Sequence, residues 1–175
     1  MGLNTRISYL MNRNDRIISD KDIIDQMDFD SFEDKDKFSF LCDLVAEKKR
    51  ERLVIQNANP DLIEKRGVLY IFVLDNKLVK IGSTTTSFWD RVQSYNCGKK
   101  AYRTRGTCST TNFFVLQSLL NINKIVKVYG FFPGEIELDV FGERERISLP
   151  AKRFEKKLLT LLKKKGTLPI MCTQR

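Results

Sequence analysis

The stretch that most constrains the fold is GVLYIFVLDNKLVKIGST, residues 67–84. Every residue from Val68 to Leu74 is apolar or aromatic, Asp75-Asn76 supplies turn chemistry, and Leu78, Val79 and Ile81 resume the apolar pattern. Two apolar runs joined by a short polar turn read as a buried β-hairpin. One residue breaks the pattern. Lys80 stands in the second strand directly before Ile81-Gly82, and a lysine among buried strand residues is costly unless it has a partner or a task.

The flanking segments read differently. In FEDKDKFSFLCDLVAEKKRERLVIQ, residues 32–56, Phe38, Leu41, Leu44, Val45 and Leu53 fall at helical intervals, and DKDIIDQMDFDSF before it offers a cap and a short turn. NANPDL at 57–62 punctuates a boundary. The expectation is a helical N-terminal extension over 1–62 and a main domain over 63–175. After the hairpin, SFWDRVQSY reads as a helix with Phe88, Val92 and Tyr95 on one stripe and Arg91 one turn before Tyr95. NCGKKAYRTRGTCSTTN, 96–112, is polar, basic and glycine-punctuated, which predicts a long loop, and such loops are usually functional. FFVLQSLL predicts a helix and NKIVKVYGFF a third strand ended by Pro133. Residues 134–148 read as irregular or a short hairpin, and PAKRFEKKLLTLLKKKG as a last helix from Pro150 to Gly166. The fold class is α+β, with a small three-stranded, mainly antiparallel sheet flanked by helices.

At 175 residues and 42% hydrophobic, the chain can bury the core of one compact domain. No apolar run reaches the length of a membrane span, and the N-terminal MGLNTRISYL lacks the apolar stretch of a signal peptide. Cys42, Cys97, Cys108 and Cys172 show no C-x-x-C spacing, which points to a cytoplasmic protein with reduced thiols. There is no histidine. That excludes Ser-His-Asp and Cys-His pairs, histidine–metal sites and imidazole bases, leaving Tyr, Lys, Arg and carboxylates for any catalysis. The net charge of +9 is uneven: residues 1–60 hold 10 basic and 12 acidic side chains, residues 61–175 hold 21 and 10. Between Arg91 and Gly134 there is no acid, while Arg91, Lys99, Lys100, Arg103, Arg105, Lys124 and Lys127 all occur. Such a segment favours a polyanion such as nucleic acid over a merely soluble basic surface.

In the last helix Ala151, Phe154, Leu158 and Leu161 form the apolar stripe, and Glu155 is its single acid, aligned with Leu159 and Leu162. The ordinary alternative is a surface Glu paired with Lys four residues on, but position 159 is Leu. A carboxylate at the border of a core points to a cation or metal held there.

Taken in order, VLY at 68–70, KIG at 80–82, Arg91 in the next helix and Glu155 in a late helix resemble the GIY-YIG nuclease superfamily over roughly residues 63–165. RVQSYNCGKKAYRTRGTCSTTNFFVLQSLL, 91–120, is similar to the type II restriction endonucleases of that superfamily, including the kind that cuts a short palindrome with an unread central base pair. Two departures stand out. Lys80 occupies a position where most of the superfamily has Tyr, and the Tyr70–Lys80 interval is slightly short; the restriction branch tolerates this lysine.

The resemblance implies site-specific, Mg²⁺-dependent hydrolysis of double-stranded DNA, with Tyr70, Lys80, Arg91, Tyr95 and Glu155 as catalytic residues. Tyr70 is then the group that takes the proton of the attacking water. A free phenol titrates near ~10, so Lys80 and a bound metal are expected to lower it. Arg91 can place two donors on the phosphate oxygens. Glu155 is expected to ligate one Mg²⁺ per site, and Tyr95 to orient the phosphate or the water. Sequence reading falls to the basic loop and its surroundings: Gln93, Ser94, Lys99, Arg103, Arg105, Thr107, Ser109, Thr110, Thr111, Asn112 and Gln117. A palindromic target implies a two-fold homodimer, with the N-terminal extension wrapping DNA or touching the partner subunit. A cognate DNA methyltransferase is expected in the same system, and no membrane partner.

The shared site makes a demand on the hairpin. A two-residue turn at Asp75-Asn76 pairs positions whose numbers sum to 151, which puts Tyr70 and Lys80 on opposite faces. A three- or five-residue connection, or a bulge, is therefore expected. Two other readings compete. Pro60-Asp61 followed by Asp75-Asn76-Lys77 satisfies the loose PD-(D/E)xK nuclease pattern, with Asp61, Asp75 and Lys77 at its site. The second is a non-catalytic basic nucleic-acid-binding module whose sheet merely carries aromatics.

Overall fold

The computed structural model describes residues 17–172. Five strands form one antiparallel sheet: β1 (Ser39–Glu47), β2 (Arg52–Gln56), β3 (Arg66–Leu74), β4 (Lys77–Ser87) and β5 (Val126–Phe131), in the order β2-β1-β5-β3-β4. A separate hairpin, β6 (Glu135–Val140) and β7 (Glu143–Ser148), projects between β5 and the last helix. The α-helices are α1 (Phe88–Asn96), α2 (Lys100–Thr104), α3 (Thr110–Ile122) and α4 (Ala151–Lys164). Among the described residues, no helix is long and apolar enough to cross a membrane.

The α+β class holds, but the sheet has five strands rather than three. The difference comes from the segment expected to be helical. Residues 1–16 of that extension lie outside the described residues. Residues 20–37 contain three one-turn 3-10 helices, and residues 39–56 form β1 and β2. The apolar pattern here fits two periods. Phe40, Cys42, Leu44 and Ala46 recur at every second residue, and a bulge between Phe40 and Cys42 lets Leu41 turn inward as well. The doubled apolar positions that result mimic helical spacing. β-Branched Val45, Val54 and Ile55 favour the strand, and β5 offers β1 a full ladder of partners. The basic loop is also shorter than expected, because α2 and the first turn of α3 take up much of 96–112.

The sheet separates two cores. On one face Leu41, Leu44, Tyr70 and Phe72 pack with Phe88, Val92 and Tyr95 of α1 and with Phe114 and Leu116 of α3. On the other, Leu69, Ile71, Leu78 and Ile81 pack with Phe32 and with Ala151, Leu158 and Leu162 of α4. This explains why β3 is apolar at every position from Val68 to Leu74. It is covered on both faces.

The hairpin meets the demand placed on it. Asp75 (φ +48°) and Asn76 (φ +63°) form a two-residue turn between Leu74 and Lys77, with Val73 opposite Leu78. The register then shifts, and Phe72 pairs with Lys80. Val79 is the extra, bulged residue.

Candidate active site

From the bulge onward the paired positions sum to 152, so Tyr70 lies opposite Gly82 and Phe72 opposite Lys80. Tyr70 and Lys80 therefore share a face, one pair apart on the diagonal. Gly82 has a steric task. A Cβ at that position would stand inside the Tyr70 phenol, at 2.5 Å from Cζ, so the ring lies across the strand only because position 82 has no side chain.

α1 brings the remaining groups to that face. Its N-terminus is set by a reciprocal box in which the Asp90 N–H donates to Ser87 Oγ at 3.1 Å, while the Ser87 N–H and hydroxyl donate to Asp90 Oδ2 at 3.3 and 2.9 Å. The helix then buries Phe88, Val92 and Tyr95 and leaves Arg91 at the margin. Arg91 Nε donates to the Tyr70 hydroxyl oxygen at 3.2 Å, and its guanidinium lies 4.2 Å from the centroid of the Tyr95 ring. The Tyr70 and Tyr95 hydroxyls are 2.5 Å apart, with either able to donate. Arg91 Nη1 also donates to Ser94 Oγ at 3.3 Å, and Asn112 Nδ2 to the same oxygen at 3.2 Å, which ties the site to α3.

Burial pushes the Tyr70 phenol up, and the neighbouring Tyr95 adds to the rise; Lys80 and Arg91 pull it down without overcoming it. The expectation of a lowered phenol is thus reversed in the free protein. Tyr95 is raised for the same first reason, burial, against the pull of Arg91. Lys80 is 6% exposed, and its ammonium donates to the Met171 carbonyl at 3.5 Å.

Glu155 lies elsewhere. It is buried on α4 and accepts a hydrogen bond from Ser83 Oγ at 2.5 Å. Ser83 pairs with Leu69, so this contact is on the opposite face of the sheet from Tyr70, one residue along β4 from Gly82. The structure brings Tyr70, Lys80, Arg91 and Tyr95 together and links Glu155 to them through β4, a strand at the sheet's edge. No group of three or more His, Cys, Asp or Glu able to hold a metal occurs among the described residues. A single buried carboxylate beside a hydroxyl fits a hard cation that keeps most of its waters and takes its remaining ligand from phosphate.

Among solved structures, the restriction endonuclease HPY188I in complex with product DNA is 45% identical to this chain, with a TM-score of 0.72 over 94% of this chain and 97% of that one. The chain belongs to the HPY188I family of restriction endonucleases. A point mutant of bacteriophage T4 EndoII, at 16% identity and a TM-score of 0.57 over 78% of this chain and 96% of that one, shares the fold. No protein-family model matches the sequence, and no curated protein does.

In this member of the restriction endonuclease family, the residues expected to read DNA divide into two sets. Gln93, Arg105, Thr107, Ser109 and Thr111 are exposed, and Ser94, Lys99, Thr110 and Asn112 partly so. Arg103 and Gln117 are buried. The Arg103 guanidinium lies 5.0 Å from the centroid of the Phe113 ring and donates to Thr110 Oγ1. Gln117 Nε2 donates to Glu51 Oε1 and to the Gly98 carbonyl. Gln117 thus braces the loop from inside and presents no free amide hydrogen to a groove. The PD-(D/E)xK arrangement is not assembled. Asp61 precedes β3 and Asp75 follows it, which puts about 30 Å of extended strand between them. Asp75 pairs with Lys124 at 2.8 Å and Lys77 with Asp28 at 2.9 Å. Sequence reasoning missed Ser83 and assigned Gly82 no role; a small residue after Lys80-Ile81, on a strand facing Tyr70, was the available signal for the glycine.

Proposed function

We propose that this chain is a Mg²⁺-dependent type II restriction endonuclease of the GIY-YIG kind, cutting double-stranded DNA at a short palindromic site. The observation that carries the reading is the hydrogen-bonded Tyr70–Tyr95–Arg91 cluster with Lys80 on the same strand face. It occurs in a chain 45% identical to an endonuclease solved with its product DNA. The motif spacing supports the GIY-YIG assignment. A homodimer, a cognate methyltransferase and a cytoplasmic location belong to the same proposal.

In that reading Arg91 donates to the Tyr70 oxygen and favours its ionised form, which lets it accept a proton from water, while Tyr95, hydrogen-bonded to the same oxygen, fixes its position. Lys80 adds positive potential behind the phenol, and Arg91 uses its remaining donors on the phosphate oxygens where charge accumulates. Glu155, with Ser83 beside it, would hold Mg²⁺, which when bound would supply Lewis-acid stabilisation of developing negative charge.

The test is digestion of unmethylated plasmid by purified protein with Mg²⁺ or EDTA, alongside Glu155→Ala and Tyr70→Phe. Discrete fragments lost with EDTA and with both variants are expected, and sequencing their ends gives the site. A smear sinks site specificity. DNA that is bound and stays intact hands the case to the non-catalytic binding module.

A further inference from the structure

The β1–β2 turn carries a basic group that the catalytic reading leaves unused. Lys48, Lys49 and Arg50 form a single 3-10 turn, and Glu51 follows in the left-handed region at φ +47°. Glu51 offsets one of these charges and is itself fixed in place. Its carboxylate accepts from the Lys100 backbone N–H at 2.8 Å and from Gln117 Nε2 at 2.6 Å, which fastens the turn to the loop before α2. Arg50 and Arg52 both pair with Glu47. The ammonium groups of Lys48, Lys49, Lys99 and Lys100 form no ion pair among the described residues.

Lys48, Lys49 and Lys100 line a groove of about 680 Å³ against α3, with Glu51, Phe113 and Gln117 also in its wall. Its place relative to the active site is set by α1. Asn96, the last residue of that helix, grips Leu53 at both backbone groups, accepting from its N–H at 2.7 Å and donating to its carbonyl at 3.1 Å. Arg91 lies five residues earlier on the same helix, a rise of about 7.5 Å. The turn is thus held close to the group aimed at the reacting phosphate, on the α1–α3 side of the sheet. Three lysines outnumber the single carboxylate of Glu51 in that groove, and a polyanion relieves the repulsion among the cations left in excess.

We propose that Lys48 and Lys49, with Lys100 beside them, form a phosphate subsite that holds the backbone of duplex DNA a few nucleotides from the scissile phosphate. The inference rests on the nuclease reading above. Such contacts position the duplex and carry no sequence information.

The experiment measures binding of a short fluorescent duplex of random sequence, and of the cognate duplex, across a series of salt concentrations. Ca²⁺ replaces Mg²⁺ to hold back cleavage. In Lys48→Ala/Lys49→Ala the slope of log K against log salt falls by about two, and both duplexes weaken by the same factor. Lys48→Arg/Lys49→Arg restores the slope. Lys35→Ala/Lys37→Ala removes the same charge from the α4 side of the sheet, where these lysines pair with Asp30 and Asp34, and it keeps the wild-type slope. An unchanged slope in the first variant, or an equal drop in the second, overturns the subsite while leaving the nuclease reading intact. A wild-type chain that neither binds nor cuts duplex DNA overturns both.

Discussion

Tyr70 sits under opposing influences: burial holds its proton on, while Lys80 and Arg91 draw it off. A base in that position works only through its ionised fraction, which grows about tenfold per pH unit below its pKa. Cleavage rate is expected to climb with pH through the neutral range, with no plateau below the ordinary phenol value. Tyr70→Phe is expected to lose that slope along with most of the activity, and single-turnover rates across a pH series decide it. Gly82→Ala tests the same phenol from beneath. The added methyl pushes the ring off its strand, so cleavage falls steeply while circular dichroism stays native. A third residue reports on the core. Burial, with a smaller contribution from Asp43, pushes the Cys42 thiol up to about 12. The native protein at mild alkaline pH is therefore expected to alkylate at exposed Cys97 and spare Cys42; labelling at Cys42 before unfolding would contradict its burial.

α1 depends on the box at Ser87, since this short helix carries both Arg91 and Tyr95. Ser87→Ala is expected to cost about 1 kcal/mol in a urea melt and to reduce cleavage by loosening Arg91; a melt unchanged from wild type removes the cap from the account. The elements show where the sequence was readable. The β3–β4 hairpin was legible from two apolar runs about the Asp75-Asn76 turn, α3 from the length of its apolar run, and α1 and α4 because each carries one dominant period. The bulge was legible as a parity argument, because Tyr70 and Lys80 could share a face in no other way across a two-residue turn. β1 and β2 were not, because a bulge doubled the apolar positions at Leu41 and Cys42 and blurred the alternation. The strand that joins β1 to the rest of the sheet, β5, also lies some eighty residues further on. Separation along the chain also hid Ser83's bond to Glu155, 72 residues apart, and the junction of Glu51 with Lys100, 49 apart. Local pattern reports periodicity, not which distant segment completes a ladder.

The molecule as a whole is one five-stranded sheet covered on both faces, with the β6–β7 hairpin standing apart from it. That hairpin pairs only with itself and is exposed at nearly every position. Replacing residues 135–148 with a short glycine-serine turn is therefore expected to move the thermal midpoint by no more than a few degrees, read by differential scanning calorimetry. A large drop would mean that the hairpin packs on the body after all. The sheet order has a further consequence, for synthesis. β5 lies between β1 and β3 but follows both in the chain. Until residue 131 has left the ribosome, the strand bearing Tyr70 has an open flank, and α4 with Glu155 emerges later still. The site is thus assembled late from segments far apart in the chain, and a product truncated before residue 126 lacks the strand that closes the flank of β3.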